Sequence, residues 1–480
     1  MPPETMPHQT LSEKSFLEDT AKALKDPQLR RNFKRAMSGL VAKRRNVFPN
    51  ASEFEGLREQ ASAVRRKTLS RLPELLELLE FNCERNGIRV HWAETTEEAN
   101  RIVLDIANEA EVRLAVKGKS MVSEEMGLNA FLEEHGIEAI ESDLGEYIIQ
   151  VDKELPSHII MPAIHKNREE ISKLFQEKVD SNSTSETAEE MTATARKILR
   201  KKFHDADMGL SGVNFAVAET GTLCLVENEG NGRFCTTLPK IHVALMGIEK
   251  VVESLQDLPP LLTTLTGSAT GQPITTYFNM ISGPRREGEK DGPHEVHLVL
   301  LDNGRSKMYE DELLRETLLC IRCGACMNHC PVYTRIGGHA YNTVYPGPIG
   351  KILTPQIKGI ENAGYLANAS SLCGACVEVC PVQIPITEIL LRLRHNWTRQ
   401  NKKRHWTDKK WLELLIWNGW KQVFSKPGLY RIQAGLLVRF GNLLPKQTPI
   451  LSRWARFRSL PRFSKKSLHR LVEEEGIDHE

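Results

Sequence analysis

Two cysteine runs, fifty residues apart, constrain this chain more than any other feature. The first reads CIRCGACMNHCP from position 320 and the second reads SSLCGACVEVCP from position 370. The first run has the spacing C-x₂-C-x₂-C-x₃-C-P, whereas the second has Ser370 where the first has Cys320. Each run therefore places several thiols on a short loop, and the second run has one thiol fewer.

The spacing of the first run is that of bacterial ferredoxins, in which the fourth cysteine ligates the other of two clusters. If this crossover applies to both runs, one [4Fe–4S] cluster receives four thiolates and a second receives three. The first set is Cys320, Cys323, Cys326 and Cys380, and the second is Cys330, Cys373 and Cys376. The sequence thus predicts two iron–sulfur clusters, the second with a non-cysteine corner at Ser370.

Three interpretations of this corner remain open. The second cluster could be a [4Fe–4S] with an oxygen ligand or an open iron, the interpretation that we favour. It could instead be a [3Fe–4S] cluster. A cysteine distant in the sequence could also supply the fourth ligand. The chain has three cysteines outside the runs: Cys83, Cys224 and Cys235.

Alternatives to an electron carrier follow from the same residues. Zinc sites also use C-x₂-C pairs, but the spacing of the first run is unusual for zinc. A purely structural cluster is a second alternative. The N-terminus has no apolar stretch after a basic start, so we expect no secretory signal and reduced thiols in the cytoplasm.

Composition limits the partners that this chain can have. Its 480 residues carry a net charge of +2, which does not indicate a nucleic-acid binder. We find no run of about eighteen apolar residues, so we expect no membrane span. Positions 401–480, however, contain 17 Lys/Arg and only 7 Asp/Glu. Six of the seven tryptophans lie from position 397 onward. This basic, Trp-rich tail indicates docking on an acidic partner or, peripherally, on the inner face of a membrane.

Periodicity predicts the fold class. Residues 1–80 have apolar positions at helical spacing, and from about residue 88 short apolar segments, among them IEAIES and SHIIMPAI, alternate with helical patterns. Such alternation predicts an α/β fold with a parallel sheet. We divide the chain into an N-terminal helical segment (1–85), an α/β domain (86–305), a helical domain with both clusters (306–398) and a basic helical tail (399–480).

Two residues of the α/β domain are weaker candidates for an anion site. Lys119 lies between a predicted strand and helix, and Arg233 lies in a polar turn, NEGNGR. The sequence Gly-Lys-Ser at 118–120 is not a Walker A motif, because Arg113 occupies the position that requires glycine. We find no G-x-G-x-x-G fingerprint, and so expect no cofactor beyond the clusters.

The whole chain resembles the lactate utilization protein B family. The resemblance rests on GKSMVSEEMGLN, PSHIIMPAIHKN, GVNFAVAETGTLCLVENEGNGR and SGPRREGEKDGPHEVH, followed by the cysteine runs and the basic tail in the family's order. It implies an α/β LUD domain similar to ribose-5-phosphate isomerases and CoA-transferases, an α-helical ferredoxin domain and a helical tail. The seven cysteines named above match the family's cluster ligands.

The resemblance also implies a function. This chain would be the iron–sulfur electron-transfer subunit, without a catalytic site of its own, of a three-protein complex that oxidises L-lactate to pyruvate. Its companions would be a cysteine-rich protein of the glycolate-oxidase iron–sulfur type and a smaller LUD-domain protein. Other hypotheses are a metabolite-binding redox sensor, a carrier for a different 2-hydroxy acid oxidase, and a stand-alone enzyme whose three-thiolate cluster acts as a Lewis acid.

Overall fold

A computed structural model describes residues 11–118, 120–179, 187–404, 410–443 and 462–476. Two compact units make up the chain, residues 1–400 and 401–480. The helices in chain order are α1 Glu13–Lys25, α2 Pro27–Val47, α3 Ala51–Ser70, α4 Leu72–Arg85, α5 Thr96–Glu109, α6 Met121–Met126, α7 Leu128–Glu134, α8 Leu144–Asp152, α9 Arg168–Lys178, α10 Ala188–Asp205, α11 Asn231–Thr237, α12 Leu258–Ala269, α13 Arg305–Glu310, α14 Ala325–Asn328, α15 Tyr333–Ile336, α16 Gly347–Ile357, α17 Ile360–Ala363, α18 Ala375–Glu378, α19 Ile386–Arg404, α20 Lys410–Ser425, α21 Pro427–Phe440 and α22 Leu468–Glu475.

Two β-sheets lie in the first unit. The strands are β1 Ile88–Ala93, β2 Leu114–Gly118, β3 Glu138–Glu141, β4 Met208–Gly212, β5 Phe215–Val217, β6 Thr222–Glu227, β7 Ile241–Gly247, β8 Val251–Val252, β9 Tyr277–Ile281 and β10 Glu295–Leu301. The larger sheet has the order β1-β10-β7-β4-β2-β3, and all its pairs are parallel. The smaller sheet has the order β8-β5-β6-β9 and contains antiparallel pairs.

Local sequence explains the main elements. The central strands β7 and β10 are apolar and almost wholly buried, as expected where helices cover both faces of a parallel sheet. Helix α5 begins after Thr95, whose side chain accepts a hydrogen bond from the amide of Glu98. The predicted α/β class with a parallel sheet is thus confirmed, as are helices over much of the first 80 residues.

The segment SHIIMPAI is an exception. Alternation favoured a strand there, but the structure forms bends and turns over 157–164. Ile160 packs close to Gly324 of the first cysteine run, and Tyr333 donates a hydrogen bond to the carbonyl of Ser157 at 2.6 Å. The prediction was wrong because these apolar residues cover the cysteine loop instead of joining a sheet.

One hydrophobic core continues from the sheets into the cysteine region. Its buried members range from Leu75 of α4 through Leu298 of β10 to the cysteines themselves. The N-terminal helices also pack on this region: the ring of Phe16 lies 5.8 Å from that of Tyr341. The α/β part and the cysteine part of the first unit therefore share their apolar interior.

The second unit contains α20, α21 and α22. Trp417 and Trp420 pack edge to face on α20, with ring centroids 5.9 Å apart. Among the described residues, no helix has both the length and the apolar character needed to cross a bilayer.

Arg65 of α3 connects three parts of the first unit. Its buried guanidinium donates hydrogen bonds to the carbonyl oxygens of Val251 and Glu249, beside the smaller sheet. It also donates to the carbonyls of Leu318 and Leu319, immediately before the first cysteine. Because these carbonyls lie in a dry interior, their hydrogen bonds depend on this one side chain.

We expect Arg65→Met to lower the free energy of unfolding by about 3–5 kcal/mol, since it leaves buried polar groups without their charged donor. The measurement is anaerobic urea unfolding of the iron-loaded chain. The neighbouring Arg66→Met is the matched control, because Arg66 forms a half-exposed ion pair with Glu316 that is worth at most about 1 kcal/mol. Equal losses in both variants would contradict this assignment.

Candidate iron–sulfur centre

Four cysteines from the two runs surround one small cavity. Cys320 follows a short 3₁₀ helix at Leu314–Leu319, and Cys326 lies in α14. The cavity has a volume of about 20 Å³, and its cysteines are Cys320, Cys323, Cys326 and Cys380. Mostly isoleucine and valine side chains complete its walls, together with Arg322, Gly324 and Pro381. The four thiols of the first predicted set are therefore together in an apolar enclosure.

Backbone amides donate hydrogen bonds to cysteine sulfurs of both sets. The amide of Arg322 donates to Cys320 Sγ at 3.4 Å, and that of Ile384 donates to Cys380 Sγ at 3.4 Å. The amide of Tyr333 donates in the same way to Cys330 Sγ at 3.5 Å. Hydrogen bonds to sulfur favour thiolates and are one of the means by which proteins set cluster potentials.

Burial disfavours the deprotonated, thiolate form of these cysteines when no metal is bound. Desolvation raises the pKa of Cys380 to about 11 and raises that of Cys323 and Cys326 further. A bound cation supplies the positive charge that buried thiolates need. All ten cysteines are free of disulfides. A soft, thiolate-binding metal centre fits this donor set, and an iron–sulfur cluster bound here supplies one-electron transfer.

The second set of cysteines lies beside the first, closer to the surface. Desolvation and then the nearby Cys330 thiol raise the pKa of Cys376 to about 11. Cys330 and Cys376 are buried, whereas Cys373 is exposed. Lys351 of α16 is buried next to this set, with its Nζ 3.6 Å from Cys330 Sγ.

A network of buried charges holds the first cysteine loop. Arg322, inside the loop, donates to Glu249 at 3.2 Å, and Glu249 also accepts from Arg305 at 2.6 Å. Arg305 donates to both carboxylate oxygens of Glu125 at 2.9 Å. Although burial opposes ionisation, Arg305 and then Arg322 lower the pKa of Glu249 to about 2. Glu249 follows β7, so the sheet and the cysteine loop are connected electrostatically.

A cleft of about 570 Å³ lies next to the first set of cysteines. Arg322 and Cys323 form part of its wall. Ser120, Glu141 and Glu227 line it from the carboxyl ends of β2, β3 and β6. Ligands of open α/β sheets bind at the carboxyl edge of the parallel strands, here β2 and β3, whereas β6 belongs to the smaller sheet. The cleft therefore gives small molecules access to the side of the first cysteine set.

The anion site suggested for Lys119 and Arg233 stays a prediction. Lys119 lies outside the described residues. Arg233 lies in helix α11 and not in the turn that the sequence predicted, and it is exposed with its guanidinium 4.9 Å from the ring centroid of Tyr277. Among the described residues, those that line the cleft do not include Arg233.

Sequence reasoning missed Lys351 and the role of Arg322. Lys351 is the one charged residue in YPGPIGKILTP, a signal that could have indicated a buried amine. Arg322 stands between two cysteines of the first run, where the second run has Leu372. Only the fold shows that Arg322 pairs with Glu249, 73 positions earlier in the chain.

Comparison with known proteins agrees with this organisation. Three family models match: the LUD domain over residues 76–301, a 4Fe-4S dicluster domain over 316–384, and the C-terminal domain of lactate utilisation protein B over 392–477. Lactate utilization protein B of Bacillus thuringiensis (strain Al Hakam) is 41% identical over 95% of this chain and 96% of its own length. This chain belongs to the lactate utilization protein B family.

This family member has further relatives. An uncharacterized electron transport protein, YkgF, of Escherichia coli (strain K12) is 40% identical over 91% of this chain and 92% of its own. A crystal structure of a DUF162 family protein from Deinococcus radiodurans aligns with a TM-score of 0.28 at 13% identity, covering 48% of this chain and 98% of that one. Family membership and the dicluster domain together support a role in lactate utilisation with electron transfer.

If the second cysteine set holds a cluster, as the sequence predicts, Lys351→Met should lower the midpoint potential of that cluster by on the order of 50–100 mV, because a buried positive charge stabilises the more negative, reduced state. An anaerobic redox titration followed by electron paramagnetic resonance measures both clusters separately. Lys358→Met is the control, since Lys358 is exposed just after the same helix. An unshifted second potential, or an equal shift of both clusters, would argue against the role of Lys351.

Proposed function

We propose that this chain is the electron-transfer subunit of a complex that oxidises L-lactate to pyruvate. Two [4Fe–4S] clusters carry this role, one held by Cys320, Cys323, Cys326 and Cys380, and the other by Cys330, Cys373 and Cys376 with a non-cysteine fourth ligand. Cys380 lines the same cavity as three cysteines of the first run, and this observation carries the proposal. Such sharing of ligands between runs is typical of two-cluster ferredoxins.

The chain's own residues have separable tasks in this proposal. The apolar walls around the first cysteines exclude water, and Glu249 keeps the loop in place through Arg322. Lys351 places a positive charge beside the second set. None of these groups abstracts a proton from a hydroxy acid in this proposal. Lactate is oxidised on a companion subunit, and this chain accepts electrons singly.

The companions that we propose are a cysteine-rich protein of the glycolate-oxidase iron–sulfur type and a smaller LUD-domain protein. We expect the purified chain, given L-lactate and an artificial acceptor, to form no pyruvate until both companions are added. Pyruvate formation by this chain alone would replace the carrier hypothesis with that of a stand-alone enzyme. Reduction by a different 2-hydroxy acid in the full complex would change the substrate but retain the carrier role.

Cys380→Ala tests the ligand assignment within this assay, since alanine offers no ligand atom. We expect the variant to lose the first cluster, which lowers iron from about eight to about four per chain, and to reduce activity of the complex to background. Cys83→Ala is the matched control, because Cys83 lies in α4, outside both cysteine runs, and donates to the Gly221 carbonyl. Loss of iron in the control, or full iron in Cys380→Ala, would contradict the assignment.

We further propose that the tail docks on an acidic surface of a companion subunit. Large apolar side chains are exposed along α20 and α21: Leu415, Ile416, Trp417, Trp420, Phe424, Leu429, Ile432, Leu436 and Phe440. Over 415–440 the chain has four basic residues and no acidic one. Exposed aromatic residues together with arginine are the composition of interface hot spots.

Replacing Trp417 and Trp420 together by aspartate should weaken assembly at least about tenfold, because it removes two aromatic anchors and halves the local positive charge over 415–440 from +4 to +2. Analytical ultracentrifugation of the mixed subunits measures this, and Phe81→Asp, at a 62% exposed position of the first unit, is the control. Unchanged assembly with lost binding to vesicles of anionic lipid would instead favour peripheral attachment to the inner membrane face.

A further inference from the structure

The two cysteine loops have the same backbone conformation, although only the first begins with cysteine. Arg322 has φ +61° and its counterpart Leu372 has φ +56°. Gly324 and Gly374, each two residues further on, have φ +83° and +82°. A four-residue helix follows each glycine. Leucine rarely adopts a positive φ, so the second loop keeps this shape against its local preference.

Within this shared shape, the hydroxyl of Ser370 takes the place of a cluster ligand. In the first loop the amide of Arg322 donates to Cys320 Sγ at 3.4 Å. In the second loop the amide of Leu372 donates to Ser370 Oγ at 3.2 Å. A serine that accepts from the amide two positions later is common in turns. Here, however, the oxygen stands where the duplicated loop has a sulfur ligand.

The backbone of Ser370 is fixed from outside the loop. Arg394 of α19 donates to the Ser370 carbonyl at 2.7 Å and to the Ala367 carbonyl at 2.8 Å. These two hydrogen bonds from Arg394 hold the backbone of Ser370 in position independently of any metal. Ser370 is partly buried and its neighbour Cys373 is exposed, so this corner lies at the protein surface.

The three cysteines outside the runs are occupied elsewhere. Cys83 donates to the Gly221 carbonyl, and Cys235 lies 3.4 Å from Ser142 Oγ, both within the α/β part. Cys224 lies in β6, between β5 and β9. These positions remove the interpretation in which a distant cysteine completes the second set.

We propose that Ser370 Oγ is the fourth ligand of the second [4Fe–4S] cluster. On coordination the hydroxyl gives its proton to solvent, which reaches this partly buried corner, and the oxygen binds the iron that lacks a thiolate. The serine thereby completes a set otherwise formed by Cys330, Cys373 and Cys376. This inference rests on the two-cluster function proposed above and names the ligand which that proposal leaves unspecified.

The test compares the wild-type chain with Ser370→Ala and Ser370→Cys, each purified anaerobically with ⁵⁷Fe. We expect a Mössbauer component of one oxygen-ligated iron in the wild type. In Ser370→Ala this component disappears, and on mild oxidation one iron is lost about tenfold faster or more, giving the paramagnetic signal of a three-iron cluster. In Ser370→Cys the component converts to sulfur ligation and all irons are retained.

Ser371→Ala, at the exposed neighbouring position, is the matched control and should behave as wild type. The signal of the first cluster reports folding in every variant. A wild-type spectrum that Ser370→Ala leaves unchanged overturns the inference, as does a wild-type chain that itself holds a three-iron cluster. Either result leaves the first cluster in place, whereas an iron-free wild-type chain refutes the proposed function as well.

Discussion

A buried chain of alternating charges connects the central strand of the larger sheet to the first cysteine loop. Glu249, just after β7, forms ion pairs with Arg305 and Arg322, and Arg305 also forms an ion pair with Glu125. Gly247 has no side chain, and a Cβ there would lie 2.1 Å from the Glu249 carboxylate. Such networks tolerate little displacement, because an unpaired buried charge costs several kcal/mol. The position of the first loop is therefore tied to the sheet.

This connection explains why the α/β part and the cysteine part form a single unit. The apolar core passes from one part to the other, and Arg65 binds backbone carbonyls of both. The cleft at the carboxyl edge of the sheet consequently reaches Cys323. In an iron–sulfur protein, this arrangement places a small-molecule cleft in contact with a redox centre, without a flexible linker between them.

The two cysteine sets have different surroundings, even though their loops are duplicates. The first is enclosed by isoleucine and valine side chains, with the paired Arg322 beside it. The second has an exposed cysteine, a buried lysine and an oxygen in place of one sulfur. Charge, hydrogen bonding and solvent exposure each change a cluster's potential, so the duplication yields two unequal sites.

Much of this was readable from the sequence because it depends on short-range patterns. The spacing of the cysteine runs predicted two thiol sets, and hydrophobic periodicity predicted the α/β class with its parallel sheet. Periodicity failed for SHIIMPAI, because an apolar segment does not indicate which surface it will cover. It also gave no position for Lys351, which reaches Cys330 from 21 residues away.

The sequence by itself determined which thiols are available and that the second run lacks one. Tertiary structure alone decided that Glu249 pairs with Arg322, that Lys351 lies against Cys330, and that Ser370 Oγ accepts a hydrogen bond from the Leu372 amide. The reason is physical: ligand spacing is a property of a few consecutive residues. The charged groups and oxygens around the ligands belong to elements that are distant in the sequence, and only the packing of those elements brings them together.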